Sequence, residues 1–380
     1  MRILIVGNPN SVWIHNYIRY VLNQDYYIVD VLYIEPIKEE FLHFYKERNV
    51  KIIGAPISKK PNIVSKKFCA VKRRLYLILS RLFHSYNVIH LHFASVNSLK
   101  IACLAKHKNA RLIVTPWGSD VLRASKKEMV SRIKYLDMAD CITIQSEKLT
   151  QRMREVYGER YDSKYIFGLK MGIDIFDSLD SVIKQYTVAD CKDHFGFSKN
   201  KILVGIGYNA SSGQQHIPVL QAIESLSASI KEKMEIVMHI SYSLESEEYI
   251  IKLGQAAFST GCKIFMIDKF LYGEEMAQLR YATDIFVHAQ TTDEYSASIQ
   301  EYIYSGSILL NPEWIDYKEF SDNHINFVSY KDFQSLPSVF EKEINKFIIN
   351  SPRLFCYNTQ LKSLSAWGSY VALWRAIYKG

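Results

Sequence analysis

The stretch from His288 to Gly306 reads HAQTTDEYSASIQEYIYSG and follows an apolar burst, Thr283-Asp284-Ile285-Phe286-Val287. It sets two carboxylates, Asp293 and Glu301, on either side of Ser296, Ala297 and Ser298. Serines at the start of a helix running to about Tyr304 leave backbone amides open, and open amides at a helix N-terminus attract anions. The eight-residue offset from Asp293 to Glu301 is a little over two helical turns, so the carboxylates are not neighbours on one face. A ligand suited to this set carries phosphate-like charge and several hydroxyls.

These residues need a scaffold, and the chain alternates short apolar strands with helix-length segments. In the first half, strands are expected at Arg2–Val6, Tyr27–Tyr33, Lys51–Gly54, Val88–His92, Arg111–Thr115 and Cys141–Gln145, with a helix from Val12 to Leu22. The pattern weakens into polar sequence between Met171 and Lys201. It restarts with strands at Lys201–Gly207, Glu235–Ile240, Lys263–Ile267, Asp284–His288 and Ile308–Leu310. An α/β chain with two Rossmann-like parallel sheets in series results. Ligands of open parallel sheets bind beyond the carboxyl ends of the strands. The polar residues there are Gly7, Asn8 and Ser11; His92; Asp120 in PWGSD; Tyr208 and Asn209; and the His288–Gly306 stretch.

Composition narrows the classes. With 380 residues, 48% hydrophobic and 23% charged, the chain is long enough for two cored domains and is not of disordered type. A formal net charge of +8 favours anionic partners. Six cysteines, at 69, 103, 141, 191, 262 and 356, form no Cys-x-x-Cys pair, so neither a zinc site nor a disulfide framework is expected and a reducing cytoplasm fits. No signal segment or run of eighteen apolar residues stands in the sequence. Nor does a helix-turn-helix, RNP-like or zinc-finger pattern accompany the positive charge, which argues against nucleic acid.

In "IHLHFAS" (Ile89–Ser95), "VTPWGSD" (Val114–Asp120), Asp293-x7-Glu301 and the ending "SAWGSYVALWRAIY" (Ser365–Tyr378), the chain resembles GT-B glycosyltransferases of the family-4, retaining Glu-x7-Glu type, with Asp in place of the first Glu. The resemblance implies two Rossmann-like domains facing a central cleft. Residues 1–180 form the acceptor-side domain, completed by a C-terminal helix at 365–380, and 181–364 bind the nucleotide sugar. It implies that Glu301 accepts ribose hydroxyls, that Asp293 binds sugar hydroxyls near the reacting carbon, and that Ser296, Ala297 and Ser298 hold the diphosphate. It sets His92 near the transferred sugar, Gly7, Asn8, Tyr208 and Asn209 against the donor, and Ser11, His15 and Asp120 on the acceptor side. Hexosyl or N-acetylhexosaminyl transfer to a glycan or lipid-linked glycan, in cell-envelope polysaccharide synthesis, would follow.

Members of that family place an Arg and a Lys after the first strand of the second domain to neutralise the departing diphosphate. This chain has Tyr208, Asn209, Gln214, Gln215 and His216 there. Lys269 is the preferred substitute, ahead of Arg123, Arg280 and His216. No Asp-x-Asp stands at a strand end, so neither a metal nor any other cofactor is expected. Several residues have structural alternatives: His90 as a satisfied core histidine, Asp120, Ser296 and Ser298 as helix caps, Trp314 and Tyr317 as packing.

The basic segment from Lys59 to Arg81 interleaves Lys59, Lys60, Lys66, Lys67, Lys72, Arg73, Arg74 and Arg81 with Phe68, Leu75, Tyr76, Leu77 and Ile78. It reads as a peripheral contact with anionic membrane or as a solvated helix face. Contact would place the protein at the cytoplasmic face of a membrane. Three function classes stand at this point: a retaining glycosyltransferase, a nucleotide-sugar epimerase on the same scaffold, and a non-catalytic binding subunit.

Overall fold

The computed structural model describes residues 1–22, 26–32, 37–54, 63–243, 246–350, 353, 355 and 357–379. Its contacts divide the chain into two compact units, Met1–Gly172 with Trp367–Gly380, and Ile173–Ala366.

The first unit is a seven-stranded sheet: β1 (Arg2–Val6), β2 (Ile28–Leu32), β3 (Lys51–Ile53), β4 (Val88–His92), β5 (Arg111–Thr115), β6 (Cys141–Ile144) and β7 (Tyr165–Phe167). Every pairing is parallel, in the order β3-β2-β1-β4-β5-β6-β7. Apolar runs such as ILIV in β1 are buried because helices cover both faces of a parallel sheet. β4 is buried throughout although it carries two histidines. His90 bonds through Nδ1 to the Tyr378 hydroxyl (2.6 Å) and through Nε2 to Thr115 Oγ1 (2.7 Å), so it is a satisfied core residue.

The chain's last helix, Val371–Lys379, belongs to this unit. Trp374 is fully buried and its Nε1 donates to the Lys170 carbonyl at 2.7 Å. Tyr378 and Tyr17 share a hydroxyl hydrogen bond of 2.8 Å. Gly172 is needed where the chain passes Trp367, since a Cβ there would lie 2.5 Å from the Trp367 backbone.

The second unit holds β8 (Ile202–Ile206), β9 (Met234–His239), β10 (Ile264–Ile267), β11 (Ile285–Val287), β12 (Ile308–Pro312) and β13 (Val328–Tyr330). These pair in parallel in the order β10-β9-β8-β11-β12-β13. The expected polar interval between Met171 and Lys201 contains two helices, Phe176–Gln185 and Val188–His194. Phe176, Leu179 and Val182 enter the second core, which puts the division at 172/173 where 180/181 was expected. The second helix starts on a reciprocal capping box between Thr187 and Asp190.

β7 and β13 were not anticipated. Each is a three-residue edge strand, too short to stand out as an apolar run. Connections leave in opposite directions from β1 and β4 in the first sheet, and from β8 and β11 in the second. Those two gaps are the switch points at which such sheets open a crevice.

Candidate functional site

At the second unit's switch point the loops after β8 and β11 are stitched together. Thr291 N donates to Gly213 O (3.0 Å), Gln215 Nε2 to Ala289 O (2.6 Å), and Gln290 Nε2 to the Tyr208 hydroxyl. Asn209 turns the chain after β8 by accepting from Ser211 N at 2.9 Å. This brings Tyr208 and Asn209 beside the stretch that begins at His288.

Asp293 is held in place by its neighbours. The Tyr317 hydroxyl donates to Oδ2 at 2.5 Å and the Glu294 amide to Oδ1 at 3.0 Å. His288 Nε2 lies 3.8 Å from Oδ2. Asn311 donates both its amide hydrogens to backbone carbonyls, so its Oδ1 must accept from His288 Nδ1 (2.9 Å). Burial lowers the His288 pKa against the pull of Asp293, leaving the ring neutral with its lone pair on Nε2. That buried Nε2 has no hydrogen-bond partner among the described residues. A hydroxyl brought to this point meets two acceptors, Nε2 and Oδ2.

The helix Ala297–Tyr304 begins at Ser296, whose own side chain makes no cap bond, which leaves first-turn amides for another acceptor. One turn on, Glu301 Oε2 accepts from Arg280 Nε at 2.9 Å. Arg280 comes from the helix Gly273–Ala282 and is 2% exposed; it also donates to the Tyr302 hydroxyl (2.6 Å) and Ser298 Oγ (3.4 Å). Its guanidinium lies 4.3 Å from the Tyr302 ring centre, and against burial the Tyr302 hydroxyl and the Glu301 carboxylate raise its pKa. Lys269 has an exposed ammonium paired with Glu275 at 2.7 Å, six residues along the chain, and Arg280 is a cation that meets the serine-bearing helix. His216 is no substitute, being wholly buried beneath Gly207 with a pKa lowered by desolvation to about 4. Arg123 belongs to the first unit, where it ends the short helix Ser119–Leu122.

The first unit's switch point opens into a cavity of 340 Å³, lined among others by Gly7, Asn8, His92, Phe93, Ser95 and Trp117. Gly7 is tight against its surroundings: a Cβ would lie 2.9 Å from Ile14 Cδ1. His92 is 1% exposed, and its Nδ1 accepts from Trp117 Nε1 at 3.4 Å, which puts the ring proton on Nε2. That Nε2 has no hydrogen-bond partner among the described residues, and burial lowers the pKa to about 3, so the ring is a neutral donor.

The remaining residues expected on the acceptor side make contacts within the first unit. His15 is packed among Phe41, Phe44 and Tyr45 and donates from Nε2 to Pro9 O at 2.8 Å. Asp120 is 5% exposed and takes the amides of Ala94 (2.5 Å) and Trp117 (2.9 Å), which ties the loop after β4 to the loop after β5. It is the second residue of the Ser119–Leu122 helix, whose N-cap is Gly118, so it is not the cap. Ser11 is the N-cap of Val12–Tyr20 and makes no side-chain cap bond.

No family model and no curated protein matches the chain. Solved structures do. HepE of Anabaena, in complex with UDP-glucose, is 13% identical with a TM-score of 0.73, over 100% of this chain and 98% of that one. A glycosyltransferase from Rickettsia africae is 13% identical with a TM-score of 0.71, over 100% and 97%. WaaG, a glycosyltransferase involved in lipopolysaccharide biosynthesis, is 12% identical with a TM-score of 0.63, over 100% and 99%. The chain has the GT-B fold.

On this GT-B scaffold three contributors went unassigned in the sequence. Tyr317 packs, as expected of an aromatic residue, but it also orients Asp293. Its one signal is the polar setting "NPEWIDY". His288 and Tyr302 complete the two carboxylate clusters, and only their adjacency to Asp293 and Glu301 in sequence hints at it.

Proposed function

We propose that the protein is a glycosyltransferase that moves a sugar, with retention and without a metal, from a nucleoside diphosphate to a lipid-linked glycan of a cell envelope. The observation that carries the reading is the pair of ordered carboxylates around one helix start. Asp293, fixed by Tyr317 beside a His288 Nε2 that has no hydrogen-bond partner among the described residues, takes sugar hydroxyls. Glu301 has Oε2 on Arg280 and no described partner on Oε1, which takes ribose hydroxyls. The amides of Ala297 and Ser298 receive the diphosphate, and the nearby Arg280 opposes its charge as it departs. In the first unit, His92 is a neutral donor beside the cavity, suited to a hydroxyl of the transferred sugar or the acceptor.

HepE binds UDP-glucose, and WaaG acts in lipopolysaccharide synthesis; both support a nucleotide-sugar donor and an envelope acceptor here. Peripheral contact with an anionic membrane through 59–81 suits such an acceptor. Lys59 and Lys60 lie outside the described residues, but Lys67, Lys72, Arg74 and Arg81 are exposed on the helix Ile63–Leu82. Among the described residues no helix is long and apolar enough to cross a membrane.

A second reading, a subunit that binds the nucleotide sugar without turning it over, is favoured by one fact. Arg280 is already paired with Glu301 and so supplies less net charge to a leaving diphosphate. A thermal-shift screen of nucleotide sugars tests both readings at once. A true donor at ~100 Kd adds about 2.7 kcal/mol of stability. No stabilisation by any nucleotide sugar would defeat both.

A further inference from the structure

Two buried polar side chains lie behind the carboxylate pair. Gln300, beside Glu301 in the helix Ala297–Tyr304, is 1% exposed, and Ser365, the last residue of the helix Asn358–Ser365, is 2% exposed. Ser365 Oγ donates to Gln300 Oε1, and Gln300 Nε2 donates to the Ser296 carbonyl at 3.3 Å. The Ser365 hydroxyl has a single proton, and it is committed to Gln300. Its 3.2 Å contact with the Tyr295 hydroxyl therefore has Tyr295 as the donor. One oxygen thus joins the loop that carries Asp293, two residues before Tyr295, to the helix that carries Glu301, the residue after Gln300.

The same serine is fixed through its backbone. Its carbonyl accepts from the Ile173 amide at 2.7 Å, and Ile173 and Ala366 form a parallel bridge. These are the residues at which the chain enters and leaves the second unit. The far end of the site helix is held by Phe176–Gln185 and Asn358–Ser365, the helices that adjoin those two points. The Tyr304 hydroxyl donates to Asp180 Oδ1 (2.7 Å), Lys362 Nζ donates to Asp180 Oδ2 (2.6 Å), and the Tyr304 ring stacks on Phe176 at 4.4 Å. Packing alone does not call for the polar pair. An enclosed Leu and Ala would fill similar space with no partners to satisfy, whereas a bonded buried network selects one arrangement of the groups it joins.

We infer that Ser365 and Gln300 are positioning residues for the donor. Through Tyr295 and Ser296 they set the Asp293 loop in register with the Glu301 helix, and so fix where the sugar, diphosphate and ribose contacts fall. The inference rests on the transferase reading above and adds to it residues that touch no substrate. Loss of the Ser365 hydroxyl frees Tyr295 and the Gln300 amide together, so the loop and the first helical turn loosen while β8 does not.

Hydrogen exchange of the full chain without ligand, followed by mass spectrometry, reads this register itself. Ser365→Ala and Gln300→Leu should each speed exchange of the amides from Asp293 to Glu301 about tenfold, with no change across Ile202–Ile206. Tyr295→Phe removes only the hydroxyl of a half-buried residue and should do the same to the loop. UDP-glucose affinity by calorimetry should fall about tenfold in each and return in Ser365→Thr, which keeps the hydroxyl. Thr260→Val removes another buried hydroxyl of the second unit, bonded to the Ala257 carbonyl, and should lower the thermal midpoint while leaving both readouts unchanged. Unchanged exchange over 293–301 in Ser365→Ala would overturn the inference; were that variant not to fold, the same result in Tyr295→Phe would do so. An affinity loss in Thr260→Val equal to that in Ser365→Ala would reduce Ser365 and Gln300 to general stability and overturn it too. Absence of UDP-glucose binding by the unaltered chain would count against the donor reading, while the exchange result still decides the positioning.

Discussion

The buried pair Arg280–Glu301 makes a prediction whose size and asymmetry both come from the structure. The Arg280 side chain is 3% exposed and that of Glu301 is 13%. Glu301→Ala leaves the guanidinium enclosed with only the neutral Tyr302 and Ser298 oxygens as acceptors. Removing one partner of a buried pair costs roughly 3–5 kcal/mol. The reverse change, Arg280→Met, leaves a carboxylate that water can still reach, so its cost should be smaller, about 1–2 kcal/mol. In the double variant no buried charge is left over, and stability should recover to above that of Glu301→Ala alone. Urea unfolding of the four proteins in a double-mutant cycle measures this. A loss below about 1 kcal/mol for Glu301→Ala, or losses that simply add, would refute the view that the two groups form one buried unit.

Three further outcomes are expected. His92, His216 and His239 are buried, and their pKa values are lowered from 6.5 to about 3, about 4 and about 4. The unfolded chain takes up these protons below about pH 6.5 while the folded chain does not, so stability present above that pH falls as pH drops toward 4, by about 1.4 kcal/mol per pH unit for each ring; a flat denaturation midpoint from pH 6.5 to 4.5 would contradict it. Asp120→Ala strips the buried amides of Ala94 and Trp117 of their acceptor and should cost roughly 2–5 kcal/mol, while a loss under about 1 kcal/mol by thermal unfolding would show that the loops after β4 and β5 do not depend on it. Lys269→Met should change stability by less than about 0.5 kcal/mol and leave nucleotide-sugar binding unchanged, because its ammonium is engaged with Glu275 at the surface; weakened binding would return Lys269 to the site.

Much of the scaffold could be read from the chain because its signals are local. Runs such as RILIV and ILVGI declare buried parallel strands on their own. The strands that escaped notice, Tyr165–Phe167 and Val328–Tyr330, are three-residue edges whose pairing depends on neighbours far away in sequence. The site divides in the same way. Ser296 at a helix start is visible from residue type, whereas the choice between Lys269 and Arg280 depends on where one helix, Gly273–Ala282, sets its last turn against another. Arg280 and Glu301 are 21 residues apart, and no spacing rule joins them. Asp120 and His15 look free in sequence because their partners are backbone groups of other loops.

Whether the ordered carboxylates and the helix start between them turn over a nucleotide sugar is read directly by proton NMR of the full chain with each nucleotide sugar that stabilises it, through the anomeric signal of the sugar released to water or acceptor. Slow release of the sugar with the donor's anomeric configuration is expected. An inverted anomer would contradict retention, a free epimerised sugar would make the protein an epimerase, and stable binding with an unchanged spectrum would leave a binding subunit in place of an enzyme.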